Sequence, residues 1–299
     1  ITGVSGSGKS SVAEVVEKTC ISKSHSYCVN FEGLSKIKRV MRVNQQPIGK
    51  TPRSTVVSYL GIYDMIREIF SKTERAQKMK FKASDFSMNI SGGRCECCQG
   101  TGKKKIELTY LPETYITCPE CKGSRFKKDV LSVRYKGYNI NDILDAPISK
   151  VINIFSDNET IYGVLQCMIE IGLDYLSLGQ MSMNLSGGEA QRIKLAKNLS
   201  IKARGQGLYI LDEPTSGLDN MDIQKVKHIL NKLVENGETI LIIEHDFDFV
   251  AGIADYMIDL GCMAGDSGGK TVIRGNPKEV FLNRKSSWQF MNSAYFDDN

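Results

Sequence analysis

Four groups of residues in this chain have the types and spacing to do chemistry. Gly3-Val4-Ser5-Gly6-Ser7-Gly8-Lys9-Ser10 fits the phosphate-loop pattern G-x-x-x-x-G-K-[ST] in full. The seat it implies is Gly3, Ser5, Gly6, Ser7, Gly8, Lys9 and Ser10. Its glycines let the backbone curl so that N–H groups point at phosphate oxygens. Lys9 reaches the β- and γ-phosphates, and the Ser10 hydroxyl is placed for Mg²⁺. Leu208-Tyr209-Ile210-Leu211-Asp212-Glu213-Pro214 is an apolar run ending in two acids. At such a strand end Asp212 holds Mg²⁺ through water and Glu213 polarises an attacking water. A second apolar run, Thr239–Ile243, ends in Glu244-His245-Asp246. A lone histidine there is often structural, but at the carboxyl end of a parallel strand it faces the ligand crevice.

Leu185-Ser186-Gly187-Gly188-Glu189-Ala190-Gln191-Arg192 reads as a Ser-Gly-Gly turn entering a helix that runs to about Ser200. Its N–H groups at the positive end of a helix dipole make a seat for an anion. By itself the same turn is only a helix start; its company gives it weight.

Cys95-Glu96-Cys97-Cys98 and Cys118-Pro119-Glu120-Cys121 are separated by nineteen residues. Cys95, Cys98, Cys118 and Cys121 then give C-x₂-C twice at zinc-ribbon spacing, with Gly100, Gly102 and Gly123 following. Four thiolates suit structural Zn²⁺ and leave no open position for catalysis. Cys97 is read as a non-ligand. Cys20, Cys28, Cys167 and Cys262 lie singly and are read as buried free thiols. The ribbon is basic, through Arg94, Lys103, Lys104, Lys105, Lys122, Arg125, Lys127 and Lys128, with Tyr110, Tyr115 and Phe126 interleaved. Such a module can lie along a nucleic-acid backbone. Equally, the lysines can serve only to solubilise a ribbon with little core.

The elements that must position these groups come from a chain of 299 residues, enough for two domains or one large domain with an insertion. Apolar residues make up 41% and charged residues 24%, with a net charge of +5. That composition suits a water-soluble globular protein, and the charge permits a nucleic-acid partner without arguing for one. No apolar run reaches membrane-spanning length, and the N-terminus lacks a signal-peptide pattern, so an intracellular protein is expected. The strand that normally leads into a phosphate loop is not visible ahead of Gly3, which suggests a piece of a larger protein.

Helices are expected at Ser11–Lys18, at Tyr59–Lys72 with Leu60, Tyr63, Ile66, Ile69 and Phe70 facing the core, at Ile140–Leu144, at Thr160–Ile171, and at Asp222–Asn236. Strands are expected at Asp255–Leu260 and Thr271–Ile273, and an alternating strand through Val130, Leu131, Val133 and Tyr135. Tyr27–Gln46 reads as strand and loop, with Lys36-Ile37-Lys38-Arg39 as a solvated face. The tail, with Trp288, Phe290, Tyr295 and Phe296, reads as a docking segment of unassigned target.

Together the phosphate loop, Leu185–Arg192, Leu208–Pro214 and His245 resemble an ABC-type ATPase. The long gap between phosphate loop and signature, filled by a ribbon, resembles the C-terminal half of the UvrA family, the damage-sensing ATPases of bacterial nucleotide excision repair. So do Gln45-Gln46-Pro47-Ile48-Gly49-Lys50-Thr51-Pro52-Arg53-Ser54, Gly92-Gly93-Arg94-Cys95, Val133-Arg134-Tyr135-Lys136-Gly137 and Leu178-Gly179-Gln180. The resemblance implies an α/β fold: an ABC-type P-loop ATPase domain with a helical signature subdomain and an inserted zinc-ribbon module. Residues 1–58 and 201–285 would form the core, 59–200 the signature subdomain with the zinc module at about 91–128, and 286–299 a tail.

The same resemblance implies ATP, Mg²⁺ and Zn²⁺ as cofactors. Gln45 would sense Mg²⁺ and the γ-phosphate, His245 would be the switch histidine, and Ser186, Gly187 and Gly188 would close on nucleotide held by an opposite ATPase half. That half would be the chain's own N-terminal half or a second copy. Duplex, damaged DNA is the implied partner, met by the ribbon through Arg94, Lys103, Lys104, Lys105, Arg125 and Lys127. A UvrB contact is not expected through this chain alone, nor a membrane contact, and the implied location is the cytoplasm. Asp219 departs from the histidine that UvrA proteins often carry there, and the last dozen residues match no family ending. Three other readings remain open: a UvrA-like paralogue in drug self-protection, another soluble ABC ATPase, and a zinc-stabilised DNA-binding module with a weak ATP site. Nothing resembles a nuclease site.

Overall fold

The computed structural model describes residues 1–24, 26–44, 46–49, 51, 53–106, 114–200, 206–261, 268–283 and 286–288. The chain divides into two compact units, Ile1–Gln46 with Ile201–Asn299, and Pro47–Ser200. It starts in the first unit with β1 (Thr2–Gly3), α1 (Lys9–Ser22) and β2 (Arg39–Val43). The second unit holds α2 (Val56–Leu60), α3 (Tyr63–Ser71), α4 (Glu74–Lys78), β3 (Lys103–Ile106), β4 (Thr114–Thr117), α5 (Lys128–Leu131), α6 (Ile140–Asp145), α7 (Ile148–Val151), α8 (Glu159–Glu170) and α9 (Gly187–Ser200). The chain returns to the first unit as β5 (Gly207–Asp212), α10 (Asn220–Glu235), β6 (Thr239–Ile243), α11 (Phe247–Ala251), β7 (Met257–Leu260), β8 (Thr271–Gly275) and α12 (Pro277–Leu282).

In the first unit β2, β5 and β6 form a parallel sheet with β5 in the middle, paired Val43 to Leu211 and Asp212 to Ile243. A central parallel strand is covered on both faces, so its sequence is an unbroken apolar run rather than an alternating one. Leu208, Tyr209, Ile210 and Leu211 are all buried. Leu208, Ile210 and Ile243 pack with Ala13 and Cys20 of α1. Truncating Ile210, fully buried there, to Ala should lower unfolding stability by about 2–5 kcal/mol, read from a urea titration. β1 lies parallel to β7, and β7 antiparallel to β8. Thr2 and Gly3 therefore form a short strand that runs into the phosphate loop at Gly3, where no strand was expected. Trp288 closes a cluster with Val250, Met257, Val280 and Phe281 in the same unit. Phe290, Tyr295, Phe296 and Cys262 lie outside the described residues.

The second unit is helical around Tyr63, Ile66 and Phe70 of α3. The buried Tyr63 hydroxyl donates to the Phe86 carbonyl at 3.0 Å and accepts from the Met88 N–H at 3.1 Å. Burial pushes its pKa up to about 12. The single helix expected over Tyr59–Lys72 is two, because the chain reverses at Gly61, φ 80°. The strand expected through Val130–Tyr135 is instead α5 and a turn closed by Tyr135 and Tyr138. Val130 and Val133 are buried, brought together by the turn in which the Val133 N–H donates to the Val130 carbonyl at 3.1 Å. Arg39 is also not part of a solvated face: it pairs with the buried carboxylate of Glu238, which also accepts the Gly207 N–H at 2.7 Å. Of the single cysteines Cys20 is buried, whereas Cys28 and Cys167 are half-buried. Among the described residues no helix is long and apolar enough to cross a membrane.

Candidate functional site

The phosphate loop turns between β1 and α1. Gly3 has φ 137°, and a Cβ there would come within 2.3 Å of the Leu260 carbonyl oxygen on β7, so only glycine fits the start of the loop. The Lys9 ammonium donates to the carbonyls of Gly3 and Val4, both at 2.9 Å. Burial pushes its pKa below the ordinary value, against the opposing pull of Glu213, Asp212 and Asp259. Gly6 and Gly8 take positive φ, Ser7 is buried, and Ser5 and Ser10 are exposed. The Ser7 carbonyl accepts the Gly269 N–H at 2.8 Å, tying the loop to the segment before β8.

β5 and β6 end side by side, and their acids and histidine emerge together. Glu213 leaves β5 with φ 46°, a left-handed conformation unusual for a side-chain-bearing residue. Its N–H donates to the Ile243 carbonyl at 2.9 Å. Its Oε1 lies 3.5 Å from Nε2 of His245, and both side chains are about half exposed. Asp212 Oδ2 lies 3.8 Å from an Arg42 nitrogen, and Arg42 also bonds Glu17 at 3.0 Å. Asp219 caps α10 by accepting the Asp222 N–H at 2.8 Å.

In the second unit the Ser-Gly-Gly turn is a reciprocal helix cap. Ser186 Oγ accepts the Glu189 N–H at 3.2 Å, and Glu189 Oε2 accepts the Ser186 N–H at 2.8 Å. Glu189 Oε1 accepts the Tyr175 hydroxyl at 2.6 Å. Burial alone would raise the Glu189 pKa, but bonds from Tyr175 and Ser186 and the charge of Arg192 outweigh it, and the net shift is downward. Because the Ser186 oxygen already accepts a hydrogen bond, its proton is available to donate outward. Gly187 and Gly188 begin α9, so their N–H groups lie in its first turn.

The four cysteines also come together. Sγ atoms of Cys95, Cys98, Cys118 and Cys121 all lie within 4.8 Å of one another, with Cys95 to Cys118 at 3.9 Å and Cys98 to Cys121 at 3.6 Å. Four sulfurs around Zn²⁺ at about 2.3 Å stand roughly 3.8 Å apart, so the set fits a tetrahedral zinc. The knuckles match in backbone: Gln99 and Lys122 both take left-handed φ, 51° and 50°, each followed by glycine. A Cβ at Gly100 would meet the Met88 carbonyl oxygen at 1.8 Å. The Cys118 thiol is held down to about 6, first by the Cys121 N–H, which favours a ligand-ready thiolate. Cys97 packs beside the cluster but is not a member of the four.

No family model matches the chain. Individual proteins do. It is 43% identical over 293 residues to UvrABC system protein A of Staphylococcus aureus strain COL, covering 96% of this chain and 31% of that protein. It is 43% identical to the Aquifex aeolicus protein of the same name over 295 residues, covering 96% of this chain and 32% of that protein. For the Borreliella burgdorferi protein the values are 46% over 287 residues, 94% and 30%. The solved structure of UvrA2 from Deinococcus radiodurans superposes with a TM-score of 0.90 at 40% identity, covering 98% of this chain and 37% of that chain. This chain is UvrA-like over nearly its whole length. It spans about a third of the length of the curated relatives it matches. The fold is an α/β core of the ABC type, with a helical region that carries the four-cysteine ribbon.

Within the UvrA-like ribbon the basic residues separate into two kinds. Arg94 donates to Glu96 and to the Asn89 carbonyl, and Arg125 pairs with Asp145 at 3.0 Å; both side chains are mostly buried. Their guanidiniums are engaged within the unit, which is structural work that the count of charges did not reveal. Lys103, Lys104, Lys105 and Lys127 are exposed. The β3–β4 register sets Lys105 opposite Tyr115, itself 56% exposed, and Lys103 opposite Thr117, on one face. Gln45 and Tyr110 lie outside the described residues.

Two groups escaped the sequence reading. Glu244 is 3% exposed, and its carboxylate accepts from Thr215 and from the N–H groups of His245 and Asp246. Asp259, fully buried, accepts from Thr2, Ser286 and Ser287. Its signal was a single acid inside the apolar run Met257–Leu260.

Proposed function

We propose that this chain is the ATP-hydrolysing, DNA-engaging portion of a UvrA-type damage-recognition ATPase. The observation that supports it most is Glu213 facing His245 at 3.5 Å at the ends of adjacent parallel strands, in the unit that carries the complete phosphate loop. ATP would sit on Gly3–Ser10. Ser10 and Asp212, with Gln45, would hold Mg²⁺, which neutralises charge on the β- and γ-phosphates. Glu213 would accept a proton from the attacking water as the water oxygen bonds to the γ-phosphorus and the bond from that phosphorus to the β–γ bridging oxygen breaks, leaving the bridging oxygen on ADP. His245 donates to a γ-phosphate oxygen, and Lys9 balances the charge that develops. ADP and phosphate leave.

Ser186, Gly187 and Gly188 would serve nucleotide bound by another ATPase half, either a further segment of the same protein or a second copy. The four cysteines would hold Zn²⁺, which supplies cross-linking of the two knuckles rather than catalysis. Lys103, Lys104, Lys105 and Lys127 would meet duplex DNA through its phosphates, sensing deformability rather than base identity. UvrB recruitment lies outside this reading, and the setting is cytoplasmic.

The test is the ATPase rate of the chain with and without damaged duplex DNA, beside DNA binding across a salt series. The expected result is DNA-responsive hydrolysis, with binding that weakens steeply as salt rises. DNA binding without hydrolysis would favour a zinc-stabilised binding module. Hydrolysis without DNA binding at low salt would favour a different ABC ATPase.

A further inference from the structure

Glu244 carries a charge in the interior that hydrolysis as proposed does not use. Its side chain stands at the junction of two loops that do matter. From the β5 side, the Thr215 N–H donates to Oε1 at 3.0 Å, and the Thr215 hydroxyl donates to the same oxygen. From the β6 side, the His245 N–H donates to Oε2 at 2.7 Å and the Asp246 N–H at 3.4 Å. The Glu244 N–H itself donates to the Ile1 carbonyl at 3.2 Å. Each carboxylate oxygen thus serves a different loop, and every contact presents a donor. A buried anion with no cation beside it among the described residues is tolerable only with such a complete set of donors.

The residues it joins are the neighbours of the reacting groups. Thr215 is two residues beyond Glu213 in a tight turn, where the Ser216 N–H also donates to the Glu213 carbonyl at 3.2 Å. Glu213 holds a left-handed φ that this turn must sustain. His245 follows Glu244 directly. We infer that Glu244 is a positioning residue, a buried clamp that fixes the Glu213–Thr215 turn and the His245 backbone in one mutual geometry.

Glutamine is a poor substitute at this position. Its carbonyl can serve one loop, but its NH₂ must then face N–H donors on the other, so one side of the clamp opens. The role rests on the ATPase reading, because positioning matters only if Glu213 and His245 act on a common substrate.

The test compares wild type, Glu244→Gln and Glu244→Asp for ATP hydrolysis, together with amide hydrogen exchange at Thr215 and His245. Glu244→Gln should lower kcat by about 100-fold with KM for ATP unchanged, the cost of a misplacement of about 1 Å. Exchange at the two amides should rise by about tenfold as their acceptor is lost. Glu244→Asp keeps two acceptor oxygens with shorter reach and should fall between. Combined with His245→Ala, Glu244→Gln should cost far less than the product of the separate losses, because both act through one constellation.

Unchanged kcat in Glu244→Gln, or fully multiplicative losses, would overturn the inference. If Glu244→Gln does not fold, Thr215→Val loosens the same clamp from its other end. A reduced kcat at unchanged KM supports the role, and an unchanged kcat removes it. Should the wild-type chain hydrolyse no ATP, the ATPase reading fails and exchange alone scores the clamp. Protected amides released in Glu244→Gln support it, and amides unprotected in wild type overturn it.

Discussion

Glu213→Gln is expected to bind MgATP as wild type does and to hydrolyse it about 10²–10⁴ times more slowly, the usual contribution of a positioned general base. The substitution is nearly isosteric, so the turn at Glu213, with its N–H on Ile243 and its left-handed φ, should survive. What disappears is the ability to take a proton from water. In the proposed site phosphate contacts would come from Lys9 and the loop N–H groups, which the change does not touch, so nucleotide affinity should hold or rise slightly as a repelling charge is removed. Stopped-flow binding of a fluorescent ATP analogue and steady-state phosphate release separate the two quantities. A mutant hydrolysing at the wild-type rate would remove Glu213 from the role, and His245 would then be the next candidate. A mutant that loses ATP binding as well would show Glu213 to be part of the loop's scaffold. The 3.5 Å approach of His245 to Glu213 makes a secondary expectation: His245→Ala should be slower than wild type but faster than Glu213→Gln, because it removes a stabilising donor rather than the base.

The parts of this site that were legible in the sequence are those whose chemistry demands fixed local spacing. A phosphate loop must place glycines, a lysine and a hydroxyl within one turn, and a zinc knuckle must place two thiols within one bend, so both appear as short patterns. Strand-end acids were legible for a related reason. A parallel strand buried on both faces stays apolar until it reaches its carboxyl end, and Asp212 and Glu213 mark that end. What the sequence hid depends on partners far along the chain. Glu238 sits among polar neighbours and gives no hint that it is buried against Arg39, nearly 200 residues earlier. Glu244 stands beside His245 in the sequence, yet the role inferred for it comes from Thr215, in the turn after another strand. The helix break after α2 was marked by Gly61 but outweighed by the apolar stripe that continues into α3. At Val130–Tyr135 the alternation was real but short, and the chain instead forms the one-turn α5 and a turn in which the Val133 N–H donates to the Val130 carbonyl at 3.1 Å.

Cys118→Ser should abolish most zinc binding and loosen the ribbon, whereas Cys97→Ser should do neither. The expectation follows from the sulfur geometry. Cys118 is fully buried, 3.9 Å from Cys95, and its N–H donates to the Gly102 carbonyl at 2.9 Å, joining the second knuckle to the turn after the first. Serine at this position offers a weakly acidic hydroxyl in place of a thiolate, and three sulfurs hold zinc far less firmly than four. In small zinc modules the metal supplies most of the folding free energy, on the order of 10 kcal/mol. Among the described residues between Asn89 and Phe126 the buried apolar side chains are Cys95, Cys98 and Cys118, which leaves little else to hold the ribbon. Metal analysis after dialysis against a mild chelator should therefore give about one zinc per wild-type chain and per Cys97→Ser chain, but far less for Cys118→Ser. Limited proteolysis should cut Cys118→Ser within the ribbon first, while α3 and α8, whose Phe70 and Leu165 are fully buried, resist longer. Equal zinc loss in Cys97→Ser would mean that the ligand set is not Cys95, Cys98, Cys118 and Cys121. DNA binding then tests the proposed second role of the ribbon: if Lys103, Lys105 and Tyr115 on the β3–β4 face form the contact, Cys118→Ser should weaken binding at every salt concentration. Lys103→Ala should mainly flatten the salt dependence, by the loss of about one released counterion.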